Sequence, residues 1–358
     1  MFQFQPLALL LFSLFLPKSL AQFLVPLLLM ALLYQGRKDI GRYFVQKFFL
    51  LSALAGPLLV AVFITPGDAL RFVSIIILIA AFPFAGINTA GLSRTALLCF
   101  FYALTFQIGI LLDLPFFDGF RSNFYPADLA TWTQGDFEAS DFGFRSVRAA
   151  GLFYNPNVAA LMTLFSYVIY AVSDKTPFSG KLNLIIFILA GISLILAGSR
   201  TYLVAFVLIA MLNFFKTKVS RGAVFALAVV FLSGFAYEYI FQDFSNSSGS
   251  VNIKNQILLD YLNAAITRDG GWLALLFGGE YFVQFDNDVG YILGAWGISG
   301  MFSVLAFSLF FMMKIKSSWK ILLFILGTMI GNSLFFGLLT APLMICLCVA
   351  LSKNQLEK

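Results

Sequence analysis

There is no histidine in this chain, and only 11% of its 358 residues are charged. The first absence removes the commonest general base and the commonest metal ligand. The second places the chain at under half the charged share of a soluble domain, roughly 25%. Cysteine is scarce as well. Cys99, Cys346 and Cys348 all lie inside apolar runs, so neither a disulfide framework nor a thiolate metal site is expected. No internal repeat shows, which counts against an inverted-repeat transporter. The first apolar run ends in Ser19-Leu20-Ala21, the shape of a signal-peptidase site. MFQFQP ahead of it carries no positive charge, so the run reads as a retained first span.

Apolar sequence, by contrast, is abundant at 60%. Runs of about 20 residues, enough to cross a bilayer as helix, recur along the whole length. The pattern predicts spans over 3–17, 19–35, 48–65, 70–88, 95–112, 155–173, 182–198, 202–215, 222–241, 288–312, 321–338 and 340–352. The expected fold class is therefore all-α. The chain reads as a polytopic integral membrane protein, a single membrane domain over 1–358 with about twelve transmembrane helices. With both termini in the cytoplasm, the inner segments hold most of the Lys and Arg, from Arg37 and Lys38 to Lys353 and Lys358, and few of the acids. That topology leaves two large outer loops, 113–154 and 242–287, whereas every inner loop is short. Long loops on one face of a tight bundle usually carry function.

The outer face holds Lys18, Arg71, Arg121, Arg145, Arg148, Arg200, Lys254 and Arg268, mostly arginine, while the inner face favours lysine. A guanidinium fork matches phosphate oxygens two at a time. Such a skew suits a phosphate-bearing ligand, or else pairing with outer acids, as between Asp141 and Arg145. Asn155-Pro156-Asn157 fits a helix start, with Asn as cap and Pro at the first position. The same start offers free N–H groups to an anion. Gly198-Ser199-Arg200-Thr201 sits at the outer turn between two spans, where a charge is costly unless paired or wet. Asp286-Asn287-Asp288 opens a later span. It reads as a helix cap, as a source of a general base, or as an Asp-x-Asp that binds a metal–nucleotide. In the second loop, the apolar spacing over 251–266 predicts an amphipathic helix. WLALLF after Gly270-Gly271 is too short to span and reads as interfacial or re-entrant. Phe124, Tyr125 and Trp132 suit sugar stacking or an interfacial aromatic belt.

RAAGLFYNPNVAA resembles the pattern Arg-x-x-Gly-x-Phe-x-Asn-Pro-Asn-x-x-Ala of the O-antigen polymerase and O-antigen ligase superfamily. AGSRTYLVAF resembles that family's Ser-Arg-Thr segment, and DNDVGYILGAWGISG its last motif, a polar residue and an aromatic followed by Gly-Ile-x-Gly. The three follow the family's order, whereas residues 1–110 match only as apolar spans. The resemblance implies a glycosyltransferase-C-like membrane enzyme acting on undecaprenyl-pyrophosphate-linked oligosaccharides. Its site would face the periplasm of a bacterial inner membrane, and its inverting mechanism would use no metal and no cofactor. Carried over, Arg145, Arg148, Arg200 and Arg268 would hold the pyrophosphate, with Asn155, Asn157, Ser199 and Tyr291 shaping the site. The base would be Asp288, with Glu280 and Asp286 (and Asp269 behind them) as alternatives. Ligases of this group carry a histidine near the last motif; this chain has none, which turns the reading toward a repeat-unit polymerase. A ligase to lipid A core and a lipid-linked sugar flippase are the alternatives. Expected partners are membrane lipids, a chain-length regulator and a flippase, with no nucleic acid. The product would be O-antigen of lipopolysaccharide, capsule or exopolysaccharide.

Overall fold

Proline and glycine mark where helices start. Pro6, Pro115 and Pro156 each stand first in a helix, where the missing N–H has no partner to lose. Gly91 precedes another with φ 76°, and Gly198 turns the chain into a third with φ 63°. The computed structural model describes residues 5–37, 87–112, 114–124, 151–153, 156–172, 180–213, 271–277, 292–293, 297–302 and 340–353, with single positions at 260, 263 and 267. Its helices are α1 (Pro6–Ser13), α2 (Lys18–Gln35), α3 (Leu92–Leu111), α4 (Pro115–Phe124), α5 (Pro156–Val172), α6 (Gly180–Ala197), α7 (Arg200–Asn213), α8 (Gly271–Phe277) and α9 (Thr340–Lys353). Among the described residues there is no strand, and the class is all-α.

The chain divides into two compact units. One comprises Met1–Met30, Asn88–Gly249 and Leu356–Lys358; the other comprises Ala31–Ile87 and Ser250–Gln355. In the first, α5 is the central helix. It packs on α3, α6 and α7, and is buried without a break from Ala159 to Tyr170. A helix that is apolar all round belongs inside, as this one is. α3 also packs on α1, α4 and α6.

α2, α3 and α6 each carry an exposed apolar stripe. α2 exposes Leu20, Phe23, Leu27, Met30 and Tyr34, one residue per turn along a single stripe. α3 exposes Leu98, Phe101 and Ile108, and α6 exposes Ile185, Ile188, Ile192 and Ile195 at the same spacing. Thr105 shares the exposed face of α3, but its hydroxyl donates to the Phe101 carbonyl at 2.8 Å and asks nothing of the surroundings. Three polar side chains are inside: Gln107, Thr163 and Ser193 are each at most 1% exposed.

By length and composition one described helix, Leu92–Leu111, is long and apolar enough to cross a membrane; Ser19–Gln35, Pro156–Val172, Leu182–Ala197 and Pro342–Leu351 are shorter apolar helices. Where a predicted span falls on described residues, its ends mostly agree with a helix to within three. The first span is the exception. Over 3–17 a single helix was expected, yet α1 stops at Ser13. Beyond it the chain tightens into three-residue turns, Leu14 to Leu11, Phe15 to Phe12 and Leu16 to Ser13, ahead of Pro17. A second departure lies in the other unit. The span predicted over 288–312 contains Gly297 at φ 63°, so the backbone leaves α-helical geometry at that residue.

Within the second unit, α9 is buried at every position from Leu343 to Leu351, Cys346 and Cys348 included. α8 is seven residues long, too short to span, and exposes Trp272 and Leu273. Of the amphipathic helix expected over 251–266, positions 260 and 263 are helical and exposed. Thr267 closes a helical turn by donating to the Asn263 carbonyl at 2.7 Å.

Candidate functional site

Two hydrogen bonds fix how α5 and α6 run relative to each other. Thr163 of α5 meets Ser193 of α6 at 3.0 Å, and Tyr170 of α5 donates to Asn183 of α6. A rising number on α5 meets a falling one on α6, so the two helices are antiparallel. Ser193 also donates to Oε1 of Gln107, near the end of α3. One end of the unit therefore gathers the end of α3, the start of α5, the end of α6 and the start of α7. Two of the three motifs of the sequence lie at that end.

The first motif is tied down by two of its own residues. Gly151 stands at φ 60°, in the left-handed region. A Cβ there would sit 2.8 Å from Cγ and 3.0 Å from the backbone N of Gln107. The loop thus touches α3 with its bare backbone, which only glycine allows. Two residues on, Phe153 is buried with its ring edge-on to Phe15 at 5.6 Å. Leu152 between them is also buried. The chain then enters α5 at Pro156, itself buried, with Asn157 half-buried in the first turn. The second motif is a tight turn. Gly198 N–H donates to the Ile195 carbonyl at 2.9 Å, and the Ser199 carbonyl takes the Leu203 N–H at 3.1 Å, the first bond of α7. Ser199 is buried, and Arg200 is the first residue of α7.

Under these two motifs lies a buried polar chain that the sequence alone did not single out: Gln107, Ser193 and Thr163, one from each of three helices. Ser193 is its middle member, and Gln107 links the chain to the loop, holding Ser193 by its side chain and Gly151 by close packing. One isolated Gln in the run LCFFYALTFQIGIL was the only signal available. Farther along α5 the fully buried Ser166 hydroxyl has no hydrogen-bond partner among the described residues. Tyr167, Phe187 and Phe206 close the α5–α6–α7 core there, the two Phe rings stacked at 4.9 Å.

Neither a protein-family model nor a curated protein matches the chain.

Of the residues singled out from the sequence, Asn157, Ser199 and the backbone of Arg200 are placed at this end of the first unit. Arg145, Arg148, Asn155, Arg268, Glu280, Asp286, Asp288 and Tyr291 lie outside the described residues, as do Tyr125 and Trp132.

The polar chain makes a graded prediction. Ser193 bonds both other members, so Ser193→Ala removes two bonds and strands polar groups in an apolar interior. Thr163→Val removes one bond from the end of the chain. An unsatisfied buried polar group costs about 1–3 kcal/mol and a single lost bond about 1. Denaturant titration in detergent should rank Ser193→Ala as the more damaging. Equal losses would mean that the three side chains do not act as one chain.

Proposed function

We propose that this protein is a multi-pass bacterial inner-membrane glycosyltransferase. It would join undecaprenyl-pyrophosphate-linked oligosaccharide repeat units at the periplasmic face, as an O-antigen or capsule polymerase does. The observation that carries the reading is the meeting of the described parts of two family-like motifs, Gly151-Leu152-Phe153 with Pro156 and Ser199-Arg200, at one end of one helical unit. Two helices, α5 and α7, begin there. A helix start directs N–H groups and about half a positive charge outward, which suits a diphosphate head group.

The membrane setting is supported by the inversion of the first unit, apolar stripes outside and Gln, Ser and Thr within. Lipid tails ask for that arrangement, and water does not. Helix directions agree as well: α5 and α6 are antiparallel, as consecutive spans must be.

In this reading Arg148 and Arg200 stabilise charge on the departing pyrophosphate, with Arg145 and Arg268 as further cations. Asn155, Asn157, Ser199 and Tyr291 shape the binding surface. Asp288 takes the proton of the acceptor hydroxyl, and Glu280 or Asp286 is the reserve assignment. The pyrophosphate ester is already activated, so the transfer needs no nucleotide.

The test is a purified enzyme with defined lipid-linked repeat units. Ladder growth on undecaprenyl is the expected result. One-step attachment to lipid A core would make the protein a ligase, and movement of substrate across vesicles without new glycosidic bonds would make it a flippase. Asp288→Asn should stop turnover while lipid-linked substrate still binds. Turnover unchanged in that variant removes Asp288 from the mechanism. Chelators should leave the rate unaltered; loss of activity that a divalent ion restores would favour the Asp-x-Asp reading instead.

A further inference from the structure

The geometry points to α4 as an interfacial helix, lying in the outer leaflet at the boundary between acyl chains and head groups. The inference rests on the membrane setting proposed above and adds a lipid-binding surface at the mouth of the site.

α3 has 20 residues. At 1.5 Å per residue its length is about 30 Å, the thickness of a bilayer's hydrocarbon core. Its last turn at Leu111 therefore reaches the boundary, and the chain bends there at once. Leu114 N–H donates to the Gly109 carbonyl at 3.0 Å and Phe117 N–H to the Leu114 carbonyl at 2.9 Å. α4 begins inside this turn, too close to α3 to stand away from the boundary.

Packing then fixes which way α4 faces. A Cβ on Gly109 would lie 2.3 Å from the Phe117 ring, so that ring rests on bare α3 backbone. Phe106 of α3 meets Phe117 edge-on at 5.0 Å and Phe120 at 5.2 Å. One flank of the apolar arc is thus held by protein. The other is open: Phe116 is 72% exposed and Leu114 42%. These two continue the exposed stripe of α3 through Leu111 and Leu112. That stripe already faces acyl chains in the membrane setting, and its continuation onto α4 selects lipid as the occupant. By helical register Ser122 stands opposite the arc of Phe116, Phe117 and Phe120, about 200° around the helix from Phe120. Amphipathic helices of this kind sit about 5–10 Å into the head-group boundary, apolar face inward.

Site-directed spin labelling tests this on the full chain in phosphatidylethanolamine–phosphatidylglycerol vesicles. The native thiols of Cys99, Cys346 and Cys348 are buried, so the unsubstituted protein serves as the blank. Phe116→Cys and Leu114→Cys report the open apolar flank, Ser122→Cys the far side, and Phe101→Cys the exposed middle of α3. Labels at 116 and 114 should collide more with oxygen than with a water-soluble nickel chelate, at a depth of about 5–10 Å. At 122 the order should reverse, and at 101 the oxygen preference should be strongest. Chelate preference at 116 and 114, with 101 still in lipid, overturns the inference alone. A depth at 116 equal to that at 101 makes α4 part of a span and also overturns it. Dipolar broadening between labels at 116 assigns the face to a second copy, against lipid. Water access at 101 overturns the membrane setting itself.

Discussion

Gly151→Ala is expected to lower the stability of the protein in detergent by about 2–5 kcal/mol. Two costs add. An L-residue held in the left-handed region costs roughly 1–2 kcal/mol, because its Cβ crowds the following carbonyl. Overpacking a filled interior costs a further 1–3 kcal/mol or so. At Gly151 both apply, since φ is 60° and the new Cβ would press on Cγ and N of Gln107. The backbone N has no rotamer to escape into, so either the loop or α3 must move. The double variant Gly151→Ala/Gln107→Ala separates the contributions. Removing Cγ relieves the 2.8 Å overlap but not the conformational cost. The double variant should therefore be less damaged than the sum of the two single variants, with a coupling of about 0.5–3 kcal/mol. Strict additivity would mean that Gly151 and Gln107 do not touch. Loop and helix together place the first motif, so activity should fall in step with the folded fraction in the single variant.

That glycine shows where the sequence was readable and where it was not. Starts of helices were readable. Pro156 falls at the first position of α5, and Gly198-Ser199 turns the chain into α7, because proline and glycine act through local geometry alone. The apolar period gave most helix ends for the same reason. Gln107 was not readable: its partner Ser193 is 86 positions away, and no local period carries that distance. Gly151 looked like one small residue among several until α3 was seen against it. α4 lies within the outer loop read over 113–154, although Pro115 stands where a helix start would place it and PFFDGFRSNF has one apolar and one polar side. Its ten residues were too few to stand out beside runs of span length. The candidate site was legible as motifs, and two of them meet; the acids and most of the arginines expected there lie outside the described residues.

Arg200 should respond to substitution in opposite senses for stability and for activity. It is the first residue of α7, at the positive pole of the helix. A cation in that position is misplaced by roughly 0.3–1 kcal/mol as far as folding is concerned. Arg200→Ala should accordingly leave the melting of the protein unchanged or raise it slightly. Local rules are broken at functional sites, where an interaction with a ligand offsets the cost. If Arg200 grips the departing pyrophosphate, its loss should lower the polymerisation rate by about 10²–10³, the usual effect of removing one donor from a developing anion. The loss should fall on kcat more than on KM, because the charge it opposes grows in the transition state. Arg200→Lys keeps the charge and should still fail, since an ammonium makes one contact where the guanidinium fork makes two. Long-chain polysaccharide persisting in Arg200→Ala would remove this residue from the site. A melting point that falls with the activity would instead make Arg200 a part of the scaffold, and the chemistry would then rest on Arg145, Arg148 and Arg268.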